Sequence, residues 1–337
     1  MKFLIIAPAW VGDMVMAQSL FKAIRSEYPD AVLDVAAPAW SLPVIGRMPE
    51  VRKRIALSAG HGQLHLAGRI RTGRSLAGEA YDRAIVLPRT WKSALIPFFA
   101  KIPVRTGFRG ELRYGLINDM RKLDKTVLSM TVLRYLALGQ EKDAKIPPEI
   151  RFYPELRADP ENRDRLVQSL ALRMDRPVVV FCPGAEYGPA KQWPLDHYQR
   201  LADMLIADGF QVWTLGSSKE AEAADRIDPG SGSFVNLCGR TRLEDVVDLM
   251  GLAACAVTND SGLMHVAAAS GIPVQAIYGS SSPSYTPPLT TRADIHCLGM
   301  ACSPCFKRQC PAGHLDCLKD ISPEAVHRAI RARTADG

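Results

Sequence analysis

The chain has 337 residues, of which 47% are hydrophobic and 23% are charged, and these values exclude a disordered or fibrous protein. No apolar run reaches the roughly 20 residues that a membrane span needs, and the apolar start of the chain is too short for an export signal, so we expect a cytoplasmic protein. This length allows two domains with sizeable cores.

The positive charge is concentrated in the first half. Residues 1–150 contain 23 Lys and Arg and 13 Asp and Glu, a net of +10, while residues 151–337 contain 19 and 22, a net of −3, which gives the chain's +7. A basic half attracts a polyanion or an anionic membrane surface, although a solvated basic surface is the alternative. Since no helix-turn-helix, zinc-finger or RNP signature is present, we expect no nucleic acid partner.

A first strand is predicted at residues 3–7 and a helix from residue 14. The loop between them carries Gly12 and Asp13 at the carboxyl end of the strand, where α/β sheets bind ligands. Gly12 allows close approach of a substrate to the backbone. Asp13 is either a helix N-cap or a carboxylate that acts as a general base. The loop lacks the G-x-G-x-x-G spacing of a dinucleotide site.

Further strands are predicted at residues 32–36, 83–87 and 105–108. Residues 52–74 are the densest basic stretch, with weak core signals, and we interpret them as a mobile surface segment. His61 and His65 lie within it without further ligands for a metal. The basic surface is expected to continue through five more residues: Arg109, Arg113, Arg121, Lys122 and Lys125.

Residues 145–160 hold four prolines and no clear periodicity, which indicates a domain boundary. The predicted domains are therefore 1–150 and 151–320, followed by a basic helix in 321–337. In the second half, apolar strands alternate with helical patterns, and the strands are predicted at 178–182, 210–215, 234–237, 254–258 and 274–278. This alternation predicts two Rossmann-like α/β domains with parallel sheets and an active site in a cleft between them.

The loop after residues 178–182 contains Gly184, Ala185 and Glu186, followed by Lys191. Its composition is that of a phosphate-binding loop, but the Walker spacing is absent. Lys191 either neutralises a leaving diphosphate or is an ordinary exposed lysine before a helix. Polar loops also follow the next two predicted strands, so four such loops are expected at one edge of the sheet.

After residues 254–258, the run Asn259, Asp260, Ser261 and Gly262 supplies the chemistry of a helix start. The first N–H groups of such a helix, together with its dipole, form an anion site. His265 lies four residues from Ser261 and so on the same face. With the polar loop at residues 279–283, this pattern suggests a nucleoside diphosphate, although an ordinary well-capped βαβ unit has the same features.

Three motifs, AWVGDMVMA at 9–17, PGAEYGPAKQWP at 183–194 and TNDSGLMHVAAASG at 258–271, together resemble glycosyltransferase family 9, the bacterial lipopolysaccharide heptosyltransferases. The resemblance runs over essentially the whole chain. It implies a GT-B fold, in which two Rossmann-like domains face each other across a cleft, with the acceptor on the N-terminal domain and the donor on the C-terminal domain. In this fold the last helix, in 321–337, is expected to pack back on the N-terminal domain.

The resemblance also implies the reaction: inverting transfer of L-glycero-D-manno-heptose from ADP-heptose onto the first heptose of the lipopolysaccharide inner core, with no cofactor or metal required. Asp13 matches the family's catalytic aspartate and Lys191 the lysine that contacts the donor diphosphate. Donor-binding positions are matched by Asp260, Ser261, Gly262 and His265, with Glu220 at the ribose and Thr241 near the adenine.

The implied partners are the ADP-heptose donor, the anionic inner-core acceptor and, peripherally, the cytoplasmic face of the inner membrane. Other core heptosyltransferases, which differ in their acceptor, are the nearest alternative. A non-catalytic nucleotide-binding or glycan-binding protein is a second alternative, disfavoured because Asp13 and Lys191 are both present. A dinucleotide oxidoreductase is a third, disfavoured by the missing glycine fingerprint.

Five of the eight cysteines lie late in the chain. The spacing of Cys302, Cys305, Cys310 and Cys317, with His314 among them, suggests a structural zinc site, although the second pair is spaced C-x₆-C rather than C-x₂-C. Disulfides are disfavoured in a cytoplasmic protein. Alternatively, Lys307, Arg308 and His314 in this segment contact the donor or the acceptor.

Overall fold

The computed structural model describes residues 1–57, 65–142, 144 and 149–335. The chain divides into two compact units, Met1–Pro154 and Glu155–Gly337, so the division falls inside the proline-containing stretch at 145–160. Each unit is built from one parallel β-sheet with helices, and each is described separately below.

The first unit alternates strands and helices in this order: β1 (Lys2–Ile6), α1 (Val11–Glu27), β2 (Val32–Pro38), α2 (Leu42–Ile45), β3 (Val51–Leu57), α3 (Leu66–Ser75), β4 (Arg83–Val86), α4 (Leu95–Phe99), β5 (Val104–Phe108), β6 (Asp119–Arg121) and α5 (Thr131–Gly139). The central strands are continuous apolar runs because helices cover both faces of a parallel sheet. Leu4, Ile6, Ala84 and Val86 accordingly belong to one buried core.

The strand order in this sheet is β3-β2-β1-β4-β5-β6, and all strand pairs are parallel. The chain therefore builds outward from β1 through β2 to β3, returns to β4 and builds outward in the opposite direction. The point of reversal lies between β1 and β4. Open α/β sheets bind ligands beyond the carboxyl ends of the strands at such a point, so the loops after β1 and β4 are the first candidates in this unit.

Strand β3 corrects the prediction of a mobile segment from residue 52. Residues 53–57 pair with β2 at the edge of the sheet, and Arg52, at an irregularity in this pairing, donates from Nε to Oδ1 of buried Asp34 at 2.9 Å. An edge strand tolerates charged side chains, which protect it from pairing with other chains. The sequence of β3 therefore lacks the apolar pattern by which a strand is predicted. Residues 66–75 form α3, while 58–64, including His61, lie outside the described residues.

The second unit continues the alternation: α6 (Pro160–Ser169), β7 (Val178–Cys182), α7 (Leu195–Ala207), β8 (Gln211–Thr214), α8 (Ala221–Asp225), β9 (Phe234–Asn236), α9 (Leu243–Met250), β10 (Ala253–Asn259), α10 (Gly262–Ala269), β11 (Val274–Ile277), β12 (Ala293–His296), α11 (Asp316–Lys319) and α12 (Pro323–Ala335). The strand order is β12-β11-β10-β7-β8-β9, again with all pairs parallel. Here the order reverses between β7 and β10.

The last helix was expected to pack on the first domain, and the structure instead builds it into the core of the second. Val326 and Ile330 are fully buried there, together with residues of α7, β10 and β11. The next residues in the chain, His327 and Arg331, contact Oδ2 of Asp208, which directly follows α7, at 2.7 and 2.8 Å. The helix docks within its own unit because its apolar residues pack against α7 and its polar side chains bind Asp208, directly after α7.

Two Rossmann-like units with parallel sheets are the components of a GT-B fold, as the resemblance implied. In the parts of the chain that the structure describes, no helix combines the length and the apolar character needed to cross a membrane.

Candidate active site

An ion pair joins the two loops at the reversal point of the second sheet. After β7, the chain passes through a short 3₁₀ turn, Pro189–Lys191, which brings the Nζ atom of Lys191 to 2.5 Å from Oδ2 of Asp260, directly after β10. The side chain of Asp260 is 5% exposed and that of Lys191 is 18% exposed. The two residues that the sequence assigned to donor binding on separate loops are therefore in direct contact.

Asn259, the last residue of β10, fixes these loops against each other. Its Nδ2 atom donates to the carbonyl of Pro183 at 2.7 Å, and its Oδ1 atom accepts from the backbone N–H of Trp193 at 3.0 Å and the hydroxyl of Tyr198 at 3.2 Å. A buried side-chain amide with its donor and acceptor both satisfied gives a unique loop geometry. Asn259 is not among the site residues predicted from the sequence, although its position at the end of an apolar strand was a usable signal.

The N-terminus of α10 is not capped by a side chain. Ser261 is the N-cap residue, with extended backbone angles, and its hydroxyl makes no capping bond. This hydroxyl is buried and has no hydrogen-bond partner among the described residues. The first N–H groups of the helix therefore lack the usual side-chain acceptor, and with the helix dipole they favour an anion beside Gly262.

His265 lies one turn into α10 and is buried, with 4% of its surface exposed. Burial lowers its pKa from the ordinary value of 6.5 to about 4; the negative charge of Asp260 opposes this shift, and the positive charge of Lys191 adds to it. The imidazole is therefore neutral at neutral pH. Its Nδ1 atom has no hydrogen-bond partner in the described part of the chain, so His265 offers a neutral polar group behind the helix N-terminus.

Glu220 and Gly184 are in contact between the loops after β8 and β7. Glu220 closes a capping box in which its Oε2 atom accepts from the backbone N–H of Ser217 at 2.7 Å and from the hydroxyl of Ser217 at 2.5 Å. A Cβ atom at position 184 would lie 2.8 Å from Cδ and Oε1 of Glu220. The absence of a side chain at Gly184 therefore sets the position of this carboxylate.

The remaining predicted positions differ in what they contact. Ala185 is buried, and Glu186 forms an exposed pair with Lys219 at 2.9 Å, which raises the pKa of Lys219. Such exposed pairs contribute little to stability. The hydroxyl of Thr241 is buried without a partner in the residues described, as expected of a polar atom kept for a ligand.

In the first unit, Asp13 is the third residue of α1 and Gly12 is the buried second residue. Trp10, not Asp13, is the N-cap residue, so the structure excludes the capping interpretation of Asp13. The preceding loop is held by Trp40, whose Nε1 atom donates to the carbonyl of Ala9 at 3.0 Å. A carboxylate in the first helical turn is favoured by the helix dipole, and this one follows β1, at the reversal point of the sheet.

Arg113 was predicted to lie on the basic surface and is instead fully buried. Its guanidinium donates to the carbonyls of Pro88, after β4, and of Phe108, at the end of β5, and the distance to Pro88 is 2.7 Å. Burial is the main cause that lowers its pKa to about 10. Arg113 therefore ties together the two loops beside the reversal point of the first sheet. Arg121, in β6, is also largely buried.

The structural zinc site suggested by the late cysteines stays a prediction. All eight cysteines lie in the described ranges, and all are free thiols, with Cys182, Cys238 and Cys255 buried as expected. Within the described residues, no three His, Cys, Asp or Glu side chains are placed to hold a metal ion. Burial raises the pKa of Cys317, and the charges of Cys302, Cys310 and Cys305 add to this shift, so the four thiols lie near one another.

The comparisons with known proteins agree with this geometry. The model of "Glycosyltransferase family 9 (heptosyltransferase)" matches residues 69–316. Lipopolysaccharide heptosyltransferase 2 of Salmonella typhimurium is 47% identical over 335 residues, which cover 97% of this chain and 96% of that protein. Lipooligosaccharide heptosyltransferase 2 of Haemophilus influenzae is 47% identical over 308 residues, 88% of each chain.

Among solved structures, that of the E. coli ADP-heptose lps heptosyltransferase II superposes with a TM-score of 0.88 at 42% identity, and the match covers 100% of this chain and 99% of that one. The sequence and the fold thus give the same assignment over the full length. The chain belongs to glycosyltransferase family 9, the heptosyltransferases.

Proposed function

We propose that this protein is an inverting glycosyltransferase that moves L-glycero-D-manno-heptose from ADP-heptose onto the first heptose of the lipopolysaccharide inner core. The observation that carries this proposal is the ion pair of Lys191 and Asp260 beside the uncapped N-terminus of α10. It combines a lysine with helix N–H groups, which is the chemistry that binds a diphosphate. The substrates are supported by the names of relatives that are 47% identical over most of the chain.

The order of the strands supports a nucleoside diphosphate as the donor. Asp260, Lys191, Glu220 and Thr241 follow β10, β7, β8 and β9, which are neighbours in that order. With neighbouring strands about 4.8 Å apart, these loops span roughly 14 Å along one edge of the sheet. That span suits an extended ADP group, with the diphosphate at Lys191 and Asp260, the ribose at Glu220 and the adenine near Thr241.

The proposed chemistry is one in-line displacement. The Asp13 carboxylate takes the proton of the acceptor hydroxyl as that oxygen forms a bond to the anomeric carbon of the heptose. The bond from this carbon to the diphosphate oxygen breaks, and its electron pair leaves with ADP. Lys191 and the N–H groups of α10 stabilise the charge on the leaving diphosphate, and such preorganised groups contribute about 10²–10³ in rate each.

Because the ammonium of Lys191 and the N–H groups at the N-terminus of α10 offer hydrogen-bond donors to the diphosphate, a role that a divalent cation has in other transferases, we propose that transfer needs no metal. EDTA should leave the turnover unchanged. A loss of turnover that magnesium restores would contradict this part of the proposal.

We also propose that the first unit binds the anionic acceptor and touches the cytoplasmic face of the inner membrane. Leu112, Tyr114 and Val127 are 86%, 62% and 65% exposed, and the exposed cations Lys122 and Lys125 lie near Val127 in the chain. Exposed apolar side chains with nearby lysines favour an anionic lipid surface. Sedimentation with anionic vesicles should exceed sedimentation with neutral vesicles, and Leu112→Ser with Tyr114→Ser should reduce it; equal sedimentation of both proteins would contradict the contact.

The deciding experiment measures transfer from ADP-heptose to two purified acceptors, Kdo₂-lipid A and the same molecule carrying one heptose. Turnover on the second acceptor alone is the expected result. Turnover on the first acceptor would assign the protein to a different core heptosyltransferase activity. Absence of turnover on both, with ADP still bound, would favour a binding protein that retains the fold.

A further inference from the structure

The cysteine-containing segment at residues 302–310 is attached to the loops that follow β7 and β11. Four hydrogen bonds make the attachment: Ser303 Oγ to the carbonyl of Gly279 (2.5 Å), the N–H of Phe306 to the carbonyl of Ser280 (2.7 Å), the hydroxyl of Tyr187 to the carbonyl of Phe306 (2.7 Å), and the N–H of Ala190 to the carbonyl of Arg308 (3.1 Å). The segment therefore packs against the same loops that carry Lys191.

The ring of Tyr187 contacts two cations. The Nζ atom of Lys191 lies 5.1 Å from the ring centroid, and the guanidinium carbon of Arg308 lies 5.5 Å from it. Cation–π contacts of this kind hold a charged side chain in place without neutralising its charge. Tyr187 thus brings Arg308 to the same group of loops as Lys191.

The two cations differ in how their charge is compensated. Lys191 is paired with the buried carboxylate of Asp260 at 2.5 Å, whereas no carboxylate among the described residues forms an ion pair with Arg308, which is exposed. A ligand with a net negative charge therefore meets a neutral Lys191–Asp260 pair and an uncompensated Arg308. An arginine fork also matches two oxygens of a phosphate group at once.

Gly188 fits the loop closely to this arginine. A Cβ atom there would lie 2.6 Å from the carbonyl oxygen of Arg308 and 3.1 Å from its Cβ atom, and the φ angle of +149° already favours glycine. The loop after β7 can approach the backbone at Arg308 this closely only because residue 188 has no side chain.

We propose that Arg308 is a second cationic ligand of the donor's diphosphate, positioned by Tyr187 and by the attachment of the 302–310 segment. This assignment rests on the proposed function, since it names a further residue for the same donor. Arg308 supplies the net positive charge at the diphosphate, and Lys191 with Asp260 supplies a neutral hydrogen-bonding pair beside it.

The test measures the affinities of ADP and of adenosine for the full chain by calorimetry, without acceptor. Arg308→Ala should weaken ADP binding about 10- to 100-fold, the range for a hydrogen bond to a charged group, and leave adenosine binding unchanged. Arg308→Lys should recover part of the loss. Lys307→Ala is the matched control, because it removes the same charge from the next position and should leave both affinities unchanged.

Tyr187→Leu should weaken ADP binding in the same direction as Arg308→Ala, and Tyr187→Phe, which keeps the ring, should do so less. Equal losses in Arg308→Ala and Lys307→Ala would reduce the effect to general electrostatics and overturn the assignment. Equal losses for ADP and adenosine would also overturn it, since they would indicate damage to the fold. If wild-type protein binds ADP and transfers heptose while Arg308→Ala binds ADP normally, only the Arg308 assignment fails; wild-type protein that binds no ADP overturns the proposed function itself.

Discussion

The ammonium of Lys191 and the carboxylate of Asp260 are in contact across two loops that are separated by some 70 residues in the chain, with 2.5 Å between Nζ and Oδ2. Both groups are largely buried, so neither is well solvated on its own. A buried pair of this kind is costly to break by removing one partner, because the other charge is left uncompensated. The pair therefore links the stability of the second unit to its chemistry.

Lys191→Ala should lower the turnover number by about 10²–10³ and also lower the free energy of unfolding by about 3 kcal/mol. The double variant Lys191→Met/Asp260→Asn removes both charges and should regain most of the stability without regaining turnover. Chemical denaturation and initial rates measure the two effects separately. If turnover recovered along with stability, Lys191 would have only a structural role.

Asp13→Asn should fold and bind ADP as the wild type does and lose most of its transfer activity, at least about 10²-fold, because an amide cannot accept the acceptor's proton. The rate should be measured at saturating donor and acceptor. Asp30→Asn, which removes the same charge from an exposed position in the same unit, is the control. Wild-type turnover in Asp13→Asn would refute the role of this residue as the base.

Gly184→Ala should leave the fold nearly as stable as the wild type and weaken ADP binding about 10-fold. The added Cβ atom meets the end of the flexible Glu220 side chain, which can move away at little cost, but its carboxylate then leaves the position proposed for the ribose. Gly78→Ala is the control, because no atom lies within 4 Å of its added Cβ. Unchanged ADP affinity in Gly184→Ala would remove Glu220 from the donor site.

His265 should make the protein less stable in acid. Its pKa is about 4 in the folded protein and near 6.5 when exposed, so the unfolded chain takes up the proton first as the pH falls. Above about pH 6.5 this histidine is neutral in both states and leaves the free energy of unfolding unchanged. Between pH 6.5 and pH 4 the free energy of unfolding falls, by about 3 kcal/mol for a pKa that drops from 6.5 to about 4.

The free energy of unfolding of His265→Gln should therefore fall less between pH 7 and pH 4.5 than that of the wild type. If His265→Gln and the wild type lost stability in parallel, the acid sensitivity would have to come from other groups.

The central strands could be predicted from the sequence because each is buried on both faces and reads as a continuous apolar run. Strand β7 was predicted with its observed limits, and β10 and β11 within one residue at each end. Three edge or near-edge strands, β3, β6 and β12, were not predicted. Their side chains are largely half-exposed, so charged and polar residues interrupt the pattern that identifies a strand.

The candidate site was predictable where chemistry lies on the loop after a strand, as at Asp260 and Lys191, because parallel strands bring such loops to one edge. Contacts that depend on burial were not. Arg113 carries a charge that the sequence places on a surface, and only its three-dimensional environment of carbonyl groups explains why it is buried. The cysteine spacing suggested a zinc site, which stays a prediction, whereas the hydrogen bonds that attach this segment to other loops could not be predicted from the spacing.

The residues proposed for the diphosphate and those proposed for the nucleoside lie on loops that follow different strands of one sheet. The loops after β7 and β10 carry the charged pair, whereas Glu220 and Thr241 follow β8 and β9. Because each loop can change without altering the strands beneath it, preference for another nucleobase can evolve, or be engineered, at the outer two loops while leaving-group chemistry is preserved at the inner two. The proposed assignments thus predict that donor identity and catalytic power are separable in this architecture.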